Sequence, residues 1–357
     1  MHFAFSEQQT EFRDAVRQVL AKECTADHLR AAVDHPEARG PRWAALTEMG
    51  VVGLTVPEDR GGLGLGQVDL VLLLEEAGRV ALPEPLIETT ALTVPLLVDL
   101  AGDGADGAGA VGGRLEAIAA GQLAAAVGTA PSSSRSVPVA GADGADLFVL
   151  PTRSAPGSVD RDLELHLVDA AALTVEPVSS LDPTRRLGIP HWTPTTATRV
   201  LAGPDAAAAI GRTNDRAALA TAAELLGLSA RMIAMAAEYA KERQQFGKPI
   251  GSFQAVKHLL AGAQVRLEFA RPVVYGAAWA LDHSAPDASR AASVAKAYAS
   301  DAATEAARVS LQVHGAIGYT WECDLQLFLK RAWALAEAWG SAADHRALVL
   351  DSLVAGG

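Results

Sequence analysis

Residues 243–258 read RQQFGKPIGSFQAVKH. Arg243, Gln244, Gln245, Phe246 and Lys248 stand together, Pro249 and Gly251 break the pattern, and Phe253 and Gln254 resume it. Such a run describes the end of one helix, a tight turn and the start of the next, with Ser252 a good N-cap for the second. The turn leaves an arginine and an aromatic ring at its tip. On the N-terminal side, Leu225, Leu228, Met232, Met235 and Tyr239 step by three and four residues and form one apolar stripe on a long helix. Further helices are predicted over 252–283, 286–313, 324–338 and 341–353, with short connections that imply an antiparallel bundle.

Antiparallel order gives the turn its neighbours. The second bundle helix runs away from Ser252 and the third returns, ending in LQVHGAIGYT (311–320). Gln312, His314, Gly315 and Gly318 are thus expected at the end that holds Arg243, Phe246 and Gln254. A guanidinium fork suits a phosphate or pyrophosphate, and a phenyl face suits a ring. Two carboxamides can read polar edges, and glycine lets backbone approach a ligand closely. The set describes half of a site for a nucleotide bearing phosphates. A polar bundle tip with ordinary caps explains the same residues without a ligand.

Upstream, residues 1–110 read as helical. Ser6 and Gln9 fit a capping box, and Phe12, Val16 and Leu20 repeat at helical spacing. Helices are expected at 41–49 and 68–80, separated by VPEDRGGLGLG (56–66), which reads as an interhelical loop because it lacks the GxGxxG spacing. The Gly- and Ala-rich stretch 102–121 reads as a linker. Short apolar runs at 124–130, 146–152, 163–170, 173–180 and 197–202, split by Gly, Pro, Ser and Asp, suggest a small β-barrel or sandwich. In the third run Leu163, Leu165 and Leu167 line one face, and Glu164 and His166 are expected on a solvated one.

The chain of 357 residues is half hydrophobic and carries a net charge of −12, so binding to nucleic acid or to an anionic membrane is not expected. Cys24 and Cys323 are far apart and without metal-ligand neighbours, so neither a disulfide framework nor a metal site is expected. MHFAFSEQQTEF lacks the basic head and apolar stretch of a secretion signal, and ALTVPLLVDLA (91–101) is too short to cross a bilayer. A reducing, cytoplasmic setting is the expectation.

In RQQFGKPIGSFQAVKH, in QVHGAIGYTWECDLQLFLKRA (312–332), and in FAFSEQQTEFRDAVRQVL (3–20) with MGVVGLTVPEDRGGLGLG (49–66), the chain resembles the acyl-CoA dehydrogenase family. The resemblance implies a mainly α fold with a central β-domain. It consists of an N-terminal helical domain (1–110), a linker and reduced middle β-domain (111–204), and a C-terminal four-helix bundle (205–357). It implies FAD as cofactor, with Arg243 on the pyrophosphate, Phe246 packed on the cofactor, and Gln254, Gln312, Val313, His314, Gly315 and Ala316 bordering the adenosine part. Ala316 replaces the second glycine of the family's pair. The family reaction converts an acyl-CoA to a trans-2-enoyl-CoA, with a carboxylate as base and FAD as hydride acceptor. An electron-transferring flavoprotein is the expected electron acceptor.

Two departures stand out. Trp339, followed by Gly340 and Ser341, occupies the usual glutamate position, and Ala217 lies near the alternative position on the first bundle helix. Asp215, Glu224 and Glu337 are out of register and read as solvated, so the catalytic residue is unknown. In the β-domain, VGTAPSSSRSV (127–137) keeps only Thr129 and a few small residues of the family's flavin segment, and Trp192 lacks the family surroundings. The favoured expectation is a non-catalytic subunit of a heterotetramer with a homologous acyl-CoA dehydrogenase subunit, acting on a fatty or bulky, steroid-like acyl-CoA. The alternatives are a homo-oligomeric dehydrogenase with a displaced base such as Glu337, and another flavin-dependent oxidation on this fold.

Overall fold

A computed structural model describes residues 4–34, 40–102, 108–129, 137–153 and 163–355. Helix α1 (Glu7–Glu23) opens on the capping box read from the sequence: Gln9 N–H donates to Ser6 Oγ, and Ser6 N–H donates to Gln9 Oε1. Then follow α2 (Ala26–Asp34), α3 (Pro41–Glu48) and α4 (Gln67–Arg79). A buried π-helical stretch, Ile87–Thr93, leads into α5 (Val94–Gly102). Helix α6 (Ala108–Ala119) replaces the linker expected over 102–121. Its alanines favour helix, and burial of Val111, Leu115 and Ile118 outweighs the cost of its glycines.

The strands are β1 (Ala125–Val127), β2 (Leu147–Arg153), β3 (Leu163–Asp169), β4 (Thr174–Pro177), β5 (Gly188–His191) and β6 (Arg199–Ala202). They form a four-stranded sheet ordered β1-β2-β3-β6 and a two-stranded β4-β5 ribbon, and an isolated bridge joins Val139 and Gly188. One correction concerns His166, which is buried rather than solvated. The register slips between Leu165 and His166 where β3 meets β6, and the imidazole lies edge-on against Trp192. Its ring nitrogens meet the hydroxyls of Thr152 at 3.2 Å and Thr198 at 3.0 Å.

The chain continues through α7 (Gly203–Glu242), the two-residue strands β7 (Gln244–Gln245) and β8 (Lys248–Pro249), α8 (Gln254–Asp282), α9 (Ala288–His314), α10 (Leu325–Glu337) and α11 (Ala342–Ala355). Helix α7 contains a window long and apolar enough to cross a membrane, but 78% of that window is buried within the protein, as in a core helix.

The residues divide into two compact units. One comprises Met1–Leu29, Val71–Leu82 and Ala218–Gly357; the other comprises Arg30–Leu70 and Pro83–Ala217. Within the first, α4 and α7 touch through a reciprocal pair of glycines. A Cβ on Gly227 would lie 1.9 Å from the Glu75 carbonyl, and one on Gly78 would lie 2.1 Å from the Glu224 carbonyl. Next to this contact, two buried carboxylates of α4 are gripped from other helices. Glu76 accepts from Arg17 Nε and Nη2 at 2.8 and 2.7 Å, and Glu75 accepts from Arg271 and, at 2.6 Å, from the Tyr275 hydroxyl. Arg79 pairs with both. Burial and the adjacent Glu75 carboxylate push the Tyr275 phenol well above its ordinary range.

Glu224 is likewise corrected. It is buried on α7 with Arg331 3.9 Å away, not solvated. Arg331 also donates to the Leu82 carbonyl at 2.8 Å.

Candidate functional site

Helix α7 ends in a two-residue hairpin. Gln245 pairs with Lys248 across the loop, and Phe246 and Gly247 have φ of +53° and +77°. Two consecutive left-handed residues are the signature of a type I′ turn, whose twist matches that of the strands it joins. Asparagine or aspartate with glycine normally fills it. Phenylalanine there sits in a well that L-residues avoid at a cost of roughly 1–2 kcal/mol. Among the described residues nothing covers the ring: Phe246 is 91% exposed and makes an edge contact to Phe253 at 6.1 Å between centroids. A strained backbone that displays an apolar ring to solvent points to a ligand or partner.

Arg243 is exposed beside this ring, and its side chain has no ion pair among the described residues. Its carbonyl accepts from Ile250 N–H at 2.8 Å, which returns the chain to the end of α7. Ser252 does not cap α8, contrary to the expectation from the sequence. The 3₁₀ turn Ile250–Ser252 shifts the cap to Phe253, which offers no side-chain acceptor, and Ser252 Oγ instead donates to the Pro249 carbonyl. Gln254 is therefore the first residue of α8, and it is exposed.

The return of α9 to this end is fixed by one ring pair. His314, its last residue, stacks on Tyr239, four residues before Arg243, at 4.6 Å and 17° between planes. The His314 ring also bonds the Ser310 carbonyl, and the side chains of Val313 and His314 are buried. Gln312, Gly315 and Ala316 are exposed. Gly315 has φ +64° and ψ −141°, a conformation essentially reserved for glycine. The Tyr239–His314 stack thus brings the hairpin and the 312–316 turn to one end of the bundle. An unpaired guanidinium, an exposed ring, exposed amides and a glycine turn are the groups available there, and they fit the phosphate, ring and polar edges of a nucleotide.

A second structured turn lies between α10 and α11. Trp339 has φ +60° and Gly340 has φ +102°. The turn rests on Lys296, a fully buried lysine of α9. Its ammonium donates to the Ala336 and Gly340 carbonyls, each at 2.9 Å, and to Ser300 Oγ at 3.2 Å. His345 Nε2 lies 3.0 Å from the Trp339 carbonyl and Nδ1 3.2 Å from Ser293 Oγ. A carbonyl can only accept, so Nε2 carries the proton and Nδ1 receives the serine hydroxyl. Ser341 then starts α11 in reciprocal exchange with Asp344. Position 339 is therefore held rigidly, and it carries an indole. Glu337 is exposed and is the last residue of α10, ahead of this turn.

The β-domain positions contribute less. Residues 130–136 of the stretch 127–137 lie outside the described residues. Trp192 packs on the cluster formed by Ala126, Phe148, Leu150 and Val168, so its ring serves the sheet's own core. Among the described residues no group of three or more His, Cys, Asp or Glu is placed to hold a metal ion.

Burial holds the imidazoles of His166, His314 and His345 below the ordinary histidine value. Each folded-state value then lies beneath its unfolded one, so the neutral form is favoured. This stability is whole above about pH 6.5 and is lost as pH falls through that value, by at most about 1.4 kcal/mol per pH unit for each group. The melting temperature is expected to decline between pH 6.5 and 5, before exposed carboxylates titrate. His345→Gln should flatten part of that decline; a profile unchanged in shape would remove His345 from the account.

Two family models match this chain: the acyl-CoA dehydrogenase C-terminal domain over residues 208–354 and the N-terminal domain over residues 6–102. The acyl-CoA dehydrogenase IpdE2 of Mycolicibacterium smegmatis is 33% identical over 94% of this chain and 95% of its own. The chain belongs to the acyl-CoA dehydrogenase family, FAD-dependent oxidoreductases that act on acyl-CoA. Among solved structures, the Tcur3481-Tcur3483 steroid acyl-CoA dehydrogenase superposes with a TM-score of 0.81 at 26% identity, covering 98% of each chain. The ChsE4-ChsE5 complex of Mycobacterium tuberculosis gives 0.82 at 24% identity, covering 99% of each, and speaks for the fold.

Proposed function

We propose that this chain is the non-catalytic, FAD-completing subunit of a heteromeric acyl-CoA dehydrogenase that converts a bulky or fatty acyl-CoA to its trans-2-enoyl-CoA. The observation that carries the reading is Trp339 on a rigid turn where the family places its base. A thioester α-proton is weakly acidic, and loss of a general base costs on the order of 10²–10⁴ in rate. Indole cannot take that proton, and the exposed Glu337 is solvated rather than desolvated and aimed.

The bundle end complements this reading. Arg243 would hold the pyrophosphate of FAD through paired N–H donors. Phe246 would pack on the cofactor, and Gln254, Gln312 and the main chain from Val313 to Ala316 would border its adenosine part. FAD, when bound, supplies the hydride acceptor. The ring and guanidinium exclude water and orient the dinucleotide, while the proton-abstracting carboxylate comes from a homologous partner. Exposed apolar side chains on α8 (Val265 and Phe269) and on α11 (Leu350, Leu353 and Val354) favour burial against further chains. The homologous subunit, an electron-transferring flavoprotein as acceptor, a cytoplasmic setting and the three-segment division at 110 and 204 all belong to this proposal. A bulky substrate and a second component are favoured because the name of the dehydrogenase above specifies a steroid and pairs two components.

Co-expression with homologues, followed by flavin stoichiometry, tests the reading. The expected result is one FAD per two chains, with dehydrogenation that neither chain performs alone. Full flavin loading and turnover by this chain alone, abolished by Glu337→Gln, would establish the homo-oligomeric alternative instead. Phe246→Asn separates the ring from the fold: asparagine tolerates left-handed φ, so the isolated chain should gain about 1 kcal/mol while the complex loses flavin. Unchanged flavin retention in that variant would remove Phe246 from the site.

A further inference from the structure

After α9 the chain folds Gly315–Tyr319 into a 3₁₀ turn and re-enters helix at α10. Between them lies a cavity of about 200 Å³ walled by Tyr319, Trp321, Leu329 and Trp333. Gln326, Lys330 and Thr320 add polar side chains to its lining, and the Thr320 hydroxyl is already committed to the Ile317 carbonyl at 3.0 Å. The Lys330 ammonium donates to Gln326 Oε1 at 2.5 Å and lies 4.0 Å from the centroid of the Trp321 ring. Ammonium has no acceptor, so the amide oxygen must face it, and the amide NH₂ must point the other way.

That NH₂ is buried and has no hydrogen-bond partner, in a residue only 7% exposed. An orphaned buried donor costs about 1–3 kcal/mol, so a site that keeps one asks for an acceptor. The Lys330 charge is half-buried and meets no carboxylate among the described residues, in a chain where acids outnumber bases 42 to 30. An unneutralised ammonium, an unsatisfied amide donor and three aromatic walls define a slot that is donor-rich and apolar. Its volume is below the roughly 300–1,000 Å³ of pockets for drug-sized ligands.

We propose that this slot binds a carboxylate carried on a small apolar body, such as a single ring. The carboxylate accepts from Lys330 Nζ and Gln326 Nε2, and the apolar body lies against Trp321 and Trp333. A free carboxylic acid and an acidic side chain of a neighbouring chain share this chemistry.

Phenylacetate is the probe, with its binding to the full-length protein read by tryptophan quenching and by ligand-observed NMR. The expected result is saturable binding at about 1 mM or tighter, weakened about tenfold or more in Lys330→Met. Phenylacetamide, of the same shape without charge, should bind about tenfold more weakly than phenylacetate. Gln326→Leu removes the orphaned donor without leaving a new one, so it should fold at least as well as the parent and still lose affinity. Molar mass by light scattering identifies the source. A fall in mass caused by phenylacetate or by Lys330→Met shows that a neighbouring chain's acid fills the slot; an unchanged mass with saturable binding shows a free carboxylate. Equal binding of acid and amide, or neither saturable binding nor a mass change, overturns the proposal.

Discussion

Gly227→Ala is expected to destabilise the protein by about 2–3 kcal/mol, although alanine favours helix over glycine by about 1 kcal/mol. The added methyl would sit 1.9 Å from the Glu75 carbonyl and force α7 off α4. That displacement would also disturb the Glu75 carboxylate, which Arg271 and Tyr275 hold in place. Gly276→Ala on α8 is the matched control, because its new Cβ meets nothing within 4 Å. It should stabilise by about 0.5–1 kcal/mol. Denaturant unfolding of the two variants should therefore move in opposite directions. If Gly227→Ala is neutral, the helices do not approach as closely as the glycine pair indicates.

Lys296→Met should cost about 2–4 kcal/mol. Methionine fills the same volume but leaves the Ala336 and Gly340 carbonyls without their donor, each worth roughly 1–3 kcal/mol when stranded. The loss is local in its first effect. Hydrogen exchange at residues 338–345 should quicken before the rest of the bundle responds, since the ammonium joins the end of α10 to the turn carrying Trp339. Uniform loss of protection through α9, with no early change at 338–345, would show that the lysine supports the bundle as a whole instead.

Neither effect could be read from the local pattern of residues. Lys296 stands in ASVAKAYASD, an alanine-rich helical stretch where a lysine looks solvated. What makes it structural is a helix terminus forty residues downstream. The burial of Glu75, Glu76, Glu224 and His166 is not legible in the sequence for the same reason. Their partners Arg271, Arg17, Arg331 and Thr198 come from other elements, and a charge is tolerable inside only once such a partner arrives. Sequence patterns serve best where the determinant is local. The Ser6–Gln9 capping box, the start of α4 after GGLGLG, and the break around Phe246–Gly247 all depend on residues within a few positions. Convergence of the hairpin with the 312–316 turn was readable from antiparallel order, but not the device that secures it, since Tyr239 and His314 read as stripe and polar residues until their rings stack. Ser252 shows the limit even of local signals. A single 3₁₀ turn moved the cap by one residue and left a good capping side chain with another task.

The I′ hairpin has a consequence for kinetics. With its backbone pinned by two flanking β-pairs and a fixed turn, Phe246 has only its two side-chain torsions left to surrender when a ring settles against it. Docking at this spot should thus proceed with little loss of entropy and without a preceding rearrangement of the loop. Partners would meet a probe already extended, so their encounter rate should depend on diffusion and orientation rather than on waiting for the chain to open.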